Sequence, residues 1–103
     1  MIDIQREDEL FKISSGFVYF YTPMCGTCKL ANEFLRITEH LDQTPQIIKM
    51  DLNFANQAAM DWQIQSVPCL VSLYEGEVQD KLYAFKSVPD VTAFINRMQE
   101  DQS

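Results

Sequence analysis

From Phe17 to Leu30 the chain reads Phe-Val-Tyr-Phe-Tyr-Thr-Pro-Met-Cys-Gly-Thr-Cys-Lys-Leu, an apolar run that breaks at a proline and ends in two thiols. Phe17 to Tyr21 is β-branched and aromatic, with Gly16 before it and Pro23 soon after, and so predicts a strand. Beyond it Leu30, Phe34, Ile37 and Leu41 recur at the i, i+4, i+7, i+11 spacing of one helix face, which predicts a helix from about Gly26 to Leu41 with that stripe as its apolar side. Cys25 then falls at a helix N-terminus. There, unpaired backbone N–H groups and the positive end of the helix dipole favour the thiolate over the thiol, and the thiolate is the form that acts as nucleophile or metal ligand. Cys28, one turn on, is within disulfide reach of Cys25. A Cys-x-x-Cys between a strand and a helix in an α/β chain points to a dithiol redox site.

The rest of the chain supplies an α/β frame. Ile2 and Ile4 alternate with polar residues as a short edge strand does, and Arg6 to Ile13 places Leu10 and Phe11 on one helical side. Asp42 to Pro45 reads as a turn and Gln46 to Leu52 as a strand, Asn53 to Asn56 can cap a short helix through Trp62, and Trp62 is read as a core residue. Cys69 to Tyr74 and Glu77 to Phe85 form two strands around a Glu75-Gly76 turn. Ser87 and Pro89 open a last helix whose buried stripe is Val91, Phe94, Ile95 and Met98. The element order is βαβαβαββα, and no linker or repeat divides it, so residues 1–103 are read as one domain.

Composition narrows the function. With 15 acidic against 8 basic residues, the net charge of −7 opposes nonspecific attraction to nucleic acid or anionic membrane. The acidic first residues lack a signal-peptide layout, and no apolar run nears the roughly 18 residues of a membrane span, which leads to the expectation of a cytoplasmic chain. Three cysteines in a reducing compartment do not make a disulfide framework, leaving catalysis or metal binding. Zinc is the poorer option, because no second Cys-x-x-Cys or Cys/His pair accompanies the first. His40, at a helix end, is expected to favour the helix dipole or sit in water.

The cysteine segment resembles the active-site region of thioredoxins, whose usual motif is Trp-Cys-Gly-Pro-Cys-Lys. Cys25, Gly26, Cys28 and Lys29 match it, while Met24 replaces the tryptophan and Thr27 the proline. Trp62-Gln-Ile64-Gln-Ser66-Val67-Pro68 is similar to the family's aromatic-x-Ile-x-x-Val/Ile-Pro pattern, and Tyr74-Glu-Gly76-Glu-Val78 to its hairpin. The resemblance implies a thioredoxin-like fold, a central mixed β-sheet flanked by helices, and a thiol–disulfide oxidoreductase acting on protein disulfides. It needs no cofactor and is recharged by a reductase of the kind that serves thioredoxins. It assigns Cys25 as nucleophile and Cys28 as resolving thiol, and makes Pro68 cis, with Val67 offering its backbone to an extended substrate. Met24 is assigned to substrate contact.

Four residues depart from the family pattern or modulate it. Thr27 restores a backbone N–H, expected to donate toward the Cys25 sulfur and to raise the reduction potential. Tyr19 stands where the family has a buried aspartate that deprotonates the resolving cysteine, and a phenol of ordinary pKa near 10 is a poor base. Lys49 matches the lysine paired with that aspartate, and without it is expected to turn to solvent or to Asp51. Cys69 follows Pro68 and is read as a small buried apolar residue. Two rivals remain: a docking or chaperone module with little redox activity, and a metal or iron–sulfur carrier using Cys25, Cys28 and Cys69.

Overall fold

The computed structural model describes residues 1–41 and 44–102. Its elements run β1 (Ile2–Asp3), α1 (Glu7–Leu10), β2 (Gly16–Tyr21), α2 (Gly26–Glu39), β3 (Ile47–Asp51), a 3-10 turn (Leu52–Phe54), α3 (Asn56–Asp61), β4 (Cys69–Tyr74), β5 (Glu77–Leu82) and α4 (Val88–Asp101). The expected order is thus observed, with a mixed sheet in the order β1-β3-β2-β4-β5. β2 is central, parallel to β3 and antiparallel to β4. Four of its six residues are buried, from Phe17 to Phe20. A strand walled on both faces reads as a continuous apolar run, which is why this segment shows no alternation.

Alternate residues of β2 feed two cores. Phe17 and Tyr19 pack with Ala31 and Leu35 of α2 and with Val91, Phe94, Ile95 and Met98 of α4. Val18 and Phe20 pack with Leu10, Ala55, Ala58, Cys69 and Val71 on the other face, closed by Trp62. Ser87 caps α4 by accepting the Asp90 N–H, and Pro89 occupies its first turn, as expected. The β4–β5 hairpin turns through Glu75 and Gly76, both at positive φ (54° and 82°), the conformation that a two-residue hairpin loop demands.

The stripe expected to bury α2 is wrong by one residue. Leu30, Ile37 and Leu41 are 56%, 48% and 44% exposed and Phe34 is half-buried at the core's margin, while Cys28, Ala31, Leu35 and Thr38 face the core. One residue is a 100° rotation of the helix. Three of the four residues on the true face, Cys28, Ala31 and Thr38, are small or polar, and that hid it from an apolarity pattern. α1 is also shorter than the Arg6 to Ile13 span, and Phe11 is 48% exposed rather than buried. Of the expected Asp42 to Pro45 turn, Asp42 and Gln43 lie outside the described residues.

Candidate active site

β2 ends at Tyr21, and Thr22 to Met24 carry the chain over the end of the sheet into α2. Cys25 is the N-cap of that helix, in extended conformation, and its own sulfur is the capping acceptor: the Cys28 N–H donates to Cys25 Sγ at 3.1 Å. The Thr27 hydroxyl lies 3.3 Å from the same sulfur. Cys25 and Cys28 are joined in a disulfide, their Cα atoms 5.2 Å apart. A disulfide sulfur carries no hydrogen, so the hydroxyl is the donor in that contact. The expected donor, the Thr27 backbone N–H, is thus superseded by the Thr27 side chain and by the N–H of Cys28. Cys25 is partly exposed, whereas Cys28 is only 4% exposed.

The second wall comes from the loop before β4. The Val67–Pro68 peptide bond is cis, and the Val67 carbonyl oxygen lies 3.9 Å from Cys25 Sγ. Pro68 is buried and Val67 half-buried, so the main chain of Val67 borders the reachable sulfur. Met24 is 95% exposed beside it. On the other side an open cleft is lined by Tyr21, Pro23, Cys25, Cys28, Lys29, Asn32 and Lys49 among others.

Tyr19 is fully buried beneath the helix and donates its hydroxyl to the Cys28 carbonyl oxygen at 3.0 Å. Burial, reinforced by Tyr21, pushes its pKa far above the ordinary phenol value, so it is no base at neutral pH. Among the described residues no carboxylate is fully buried in its place. Lys49 corrects the expectation made for it. Its ammonium turns neither to solvent nor to Asp51 but donates to Asn32 Oδ1 at 3.2 Å and sits 4.7 Å over the Tyr21 ring. Asp51 instead accepts the Asn53 N–H and caps the 3-10 turn. Asn32 escaped the sequence reading, although its place one helical turn after Cys28 puts it on the same face.

Cys69 is buried among Val18, Phe20 and Val71, on the sheet face opposite α2. Burial pushes its thiol up to about 12. Among the described residues no group of three His, Cys, Asp or Glu side chains is placed to hold a metal, so the three-sulfur carrier has no assembled ligand set. His40 follows α2 at its C-terminal end, as expected, and Trp62 packs on Phe20 and Phe11.

A helix-capping cysteine that is reachable, bonded to a sealed partner one turn on, can accept and return two electrons with little movement of its surroundings. That is the working part of a thiol–disulfide oxidoreductase. Comparison with known proteins agrees: the Thioredoxin family model matches residues 6–97, and the chain belongs to the thioredoxin family. It is 34% identical over 85 residues to the thioredoxin-like protein YusE of Bacillus subtilis (strain 168), covering 81% of this chain and 80% of that protein. It is 30% identical to the thioredoxin of the same organism over 105 residues, covering 94% and 98%. Among solved structures, Malassezia sympodialis thioredoxin (Mala s 13) superposes with a TM-score of 0.81 at 18% identity, over 95% of this chain and 90% of that one, a likeness of fold. Among the described residues no helix is long and apolar enough to cross a membrane.

Proposed function

We propose that this chain, as one domain, reduces or exchanges protein disulfides through its Cys25-Gly-Thr-Cys28 dithiol in the cytoplasm. The Cys25 thiolate attacks one sulfur of a substrate disulfide, forming a mixed disulfide and releasing the other substrate sulfur as a thiolate. Cys28, once deprotonated, attacks Cys25 Sγ, which frees the second substrate thiolate and leaves the Cys25–Cys28 disulfide. Two electrons pass to the substrate, whose thiolates take up protons. A reductase of the thioredoxin-reductase type, or any dithiol of lower potential, returns two electrons to the pair.

The observation that carries this reading is the unequal access to the two bonded sulfurs. An incoming disulfide meets Cys25, whereas Cys28 is sealed and reaches only Cys25. The helix N-terminus, the Cys28 N–H and the Thr27 hydroxyl all converge on Cys25 Sγ, and each lowers the cost of a negative charge there. Val67 borders this sulfur with its backbone, available to an extended substrate strand, and Met24 offers an exposed apolar contact. No cofactor is called for, and the charge of −7 disfavours nucleic acid or an anionic membrane as partner.

Insulin reduction driven by dithiothreitol tests the reading. The wild-type chain should accelerate it, Cys25→Ser should abolish the effect, and Cys28→Ser should accumulate a mixed disulfide. An inert wild type would favour the docking module, the reading supported by Tyr19, whose hydroxyl is committed to the Cys28 carbonyl instead of serving as a base.

A further inference from the structure

The segment that presents Val67 to Cys25 begins at a helix end of unusual composition. α3 stops in a Schellman arrangement: Ile64 N–H bonds the Ala59 carbonyl at 2.9 Å and Gln63 N–H bonds the Met60 carbonyl at 3.3 Å. That arrangement puts Gln63 at φ 54°, a left-handed position normally given to glycine. Two side chains from the β5 region hold it there. Lys81 Nζ donates to the carbonyl oxygens of Trp62 at 3.0 Å and Gln63 at 2.9 Å. A cation at the C-terminal end of a helix also meets the negative end of its dipole. Tyr83 Oη accepts the Gln65 N–H at 3.2 Å and reaches the Gln63 carbonyl at 3.5 Å. The connection from α3 to Pro68 is therefore stitched at Trp62, Gln63 and Gln65 to the opposite edge of the sheet from β1.

We infer that Lys81 and Tyr83 are positioning residues for substrate docking: they fix the strained α3–β4 connection so that the Val67 backbone stands at a set distance from Cys25 Sγ. Neither touches the reacting sulfurs. Their effect is on the surface against which an extended protein substrate lies, so protein disulfides feel it and small disulfides do not. The inference rests on the reading of the chain as an oxidoreductase of protein disulfides.

The test compares insulin with hydroxyethyl disulfide as substrates for the reduced protein. Lys81→Met should lose about tenfold in kcat/KM on insulin, through KM, because two charge-assisted hydrogen bonds vanish. Its rate with hydroxyethyl disulfide should stay at the wild-type value. Lys81→Arg should keep most of the insulin activity, and Gln63→Gly added to Lys81→Met should restore part of it by removing the left-handed strain. Equal losses on both substrates, or no loss on insulin, would overturn the inference. Amide hydrogen exchange of Gln65 in the oxidised protein reads the clamp without turnover: it should be slow in wild type and faster in Tyr83→Phe and Lys81→Met. Unchanged exchange in both would also overturn it. A wild-type chain inert toward insulin but with slow Gln65 exchange would instead remove the oxidoreductase reading and, with it, the docking role, while leaving the clamp itself in place.

Discussion

Thr27 and Tyr19, the departures from the family motif nearest the dithiol, each carry a prediction about its chemistry. A hydroxyl is a weak partner for a disulfide sulfur and a stronger one for a thiolate, so the Thr27 contact at 3.3 Å favours the reduced state of the pair. Thr27→Val should therefore be more reducing, by roughly 20–40 mV for a bond of about 1–2 kcal/mol in a two-electron couple. Equilibration against glutathione buffers measures it, and an unchanged or higher potential would dismiss the hydroxyl. Among the described residues no buried carboxylate stands beside Cys28 where Tyr19 sits, so the prediction is that resolution of the mixed disulfide quickens with pH through the Cys28 titration while attack by Cys25 levels off earlier. Tyr19→Asp should speed resolution near neutral pH in stopped-flow measurements and leave the first attack alone. The buried carboxylate costs several kcal/mol of stability, and the hydroxyl bond to the Cys28 carbonyl is lost as well. Slower or unaltered resolution in a folded variant would show that the missing acid does not limit turnover.

α2 and α4 contrast in what a helix pattern discloses. In α4 the expected stripe Val91, Phe94, Ile95 and Met98 is the buried face, and all four are large apolar residues that a periodicity pattern registers. α2 carries two apolar stripes, and the bulkier one, with Leu30 and Ile37, faces outward. Helix and caps were legible from periodicity and from Ser87, but rotation about the α2 axis was not, since Ala31 and Thr38 do not look like core residues in isolation. The same limit governed the site. Cys25, Cys28, Val67 and Pro68 announce themselves by spacing and motif, whereas Asn32 under Lys49 and the Lys81 contacts join residues 17 and 18 to 19 positions apart, respectively, through tertiary geometry alone. Urea unfolding tests the rotation: Leu35→Ala should cost about 2–5 kcal/mol, and Leu30→Gln should stay within about 0.5 kcal/mol of wild type. Comparable costs would return the outward stripe to the core.

Across the whole molecule the sheet separates two thiol environments. The Cys25–Cys28 pair lies at the start of α2, while Cys69 is buried in the core on the other face of the sheet. The separation has a consequence for stability at high pH. Burial holds the Cys69 thiol up at about 12 against an ordinary value of 9.0, and Tyr19 is likewise raised above its ordinary 10.0. Once the pH passes 9, the unfolded chain releases the Cys69 proton and the folded chain keeps it, so the unfolded state binds fewer protons and stability falls as pH rises. That decline continues until the folded thiol also titrates near 12, with a limiting slope of about 1.4 kcal/mol per pH unit from this one group. In the oxidised protein Cys69 is the only free thiol among the described residues, and its ordinary value lies below those of the raised phenols of Tyr19, Tyr21 and Tyr83, so it leads the decline. Urea midpoints taken every half unit above neutrality should begin to drop near pH 9 in wild type. In Cys69→Ala the onset should move to near pH 10, where the raised phenols of Tyr19, Tyr21 and Tyr83 take over, although the variant starts from a lower plateau because of the cavity it leaves. An onset at the same pH in both proteins would mean that the Cys69 proton is not what folding protects.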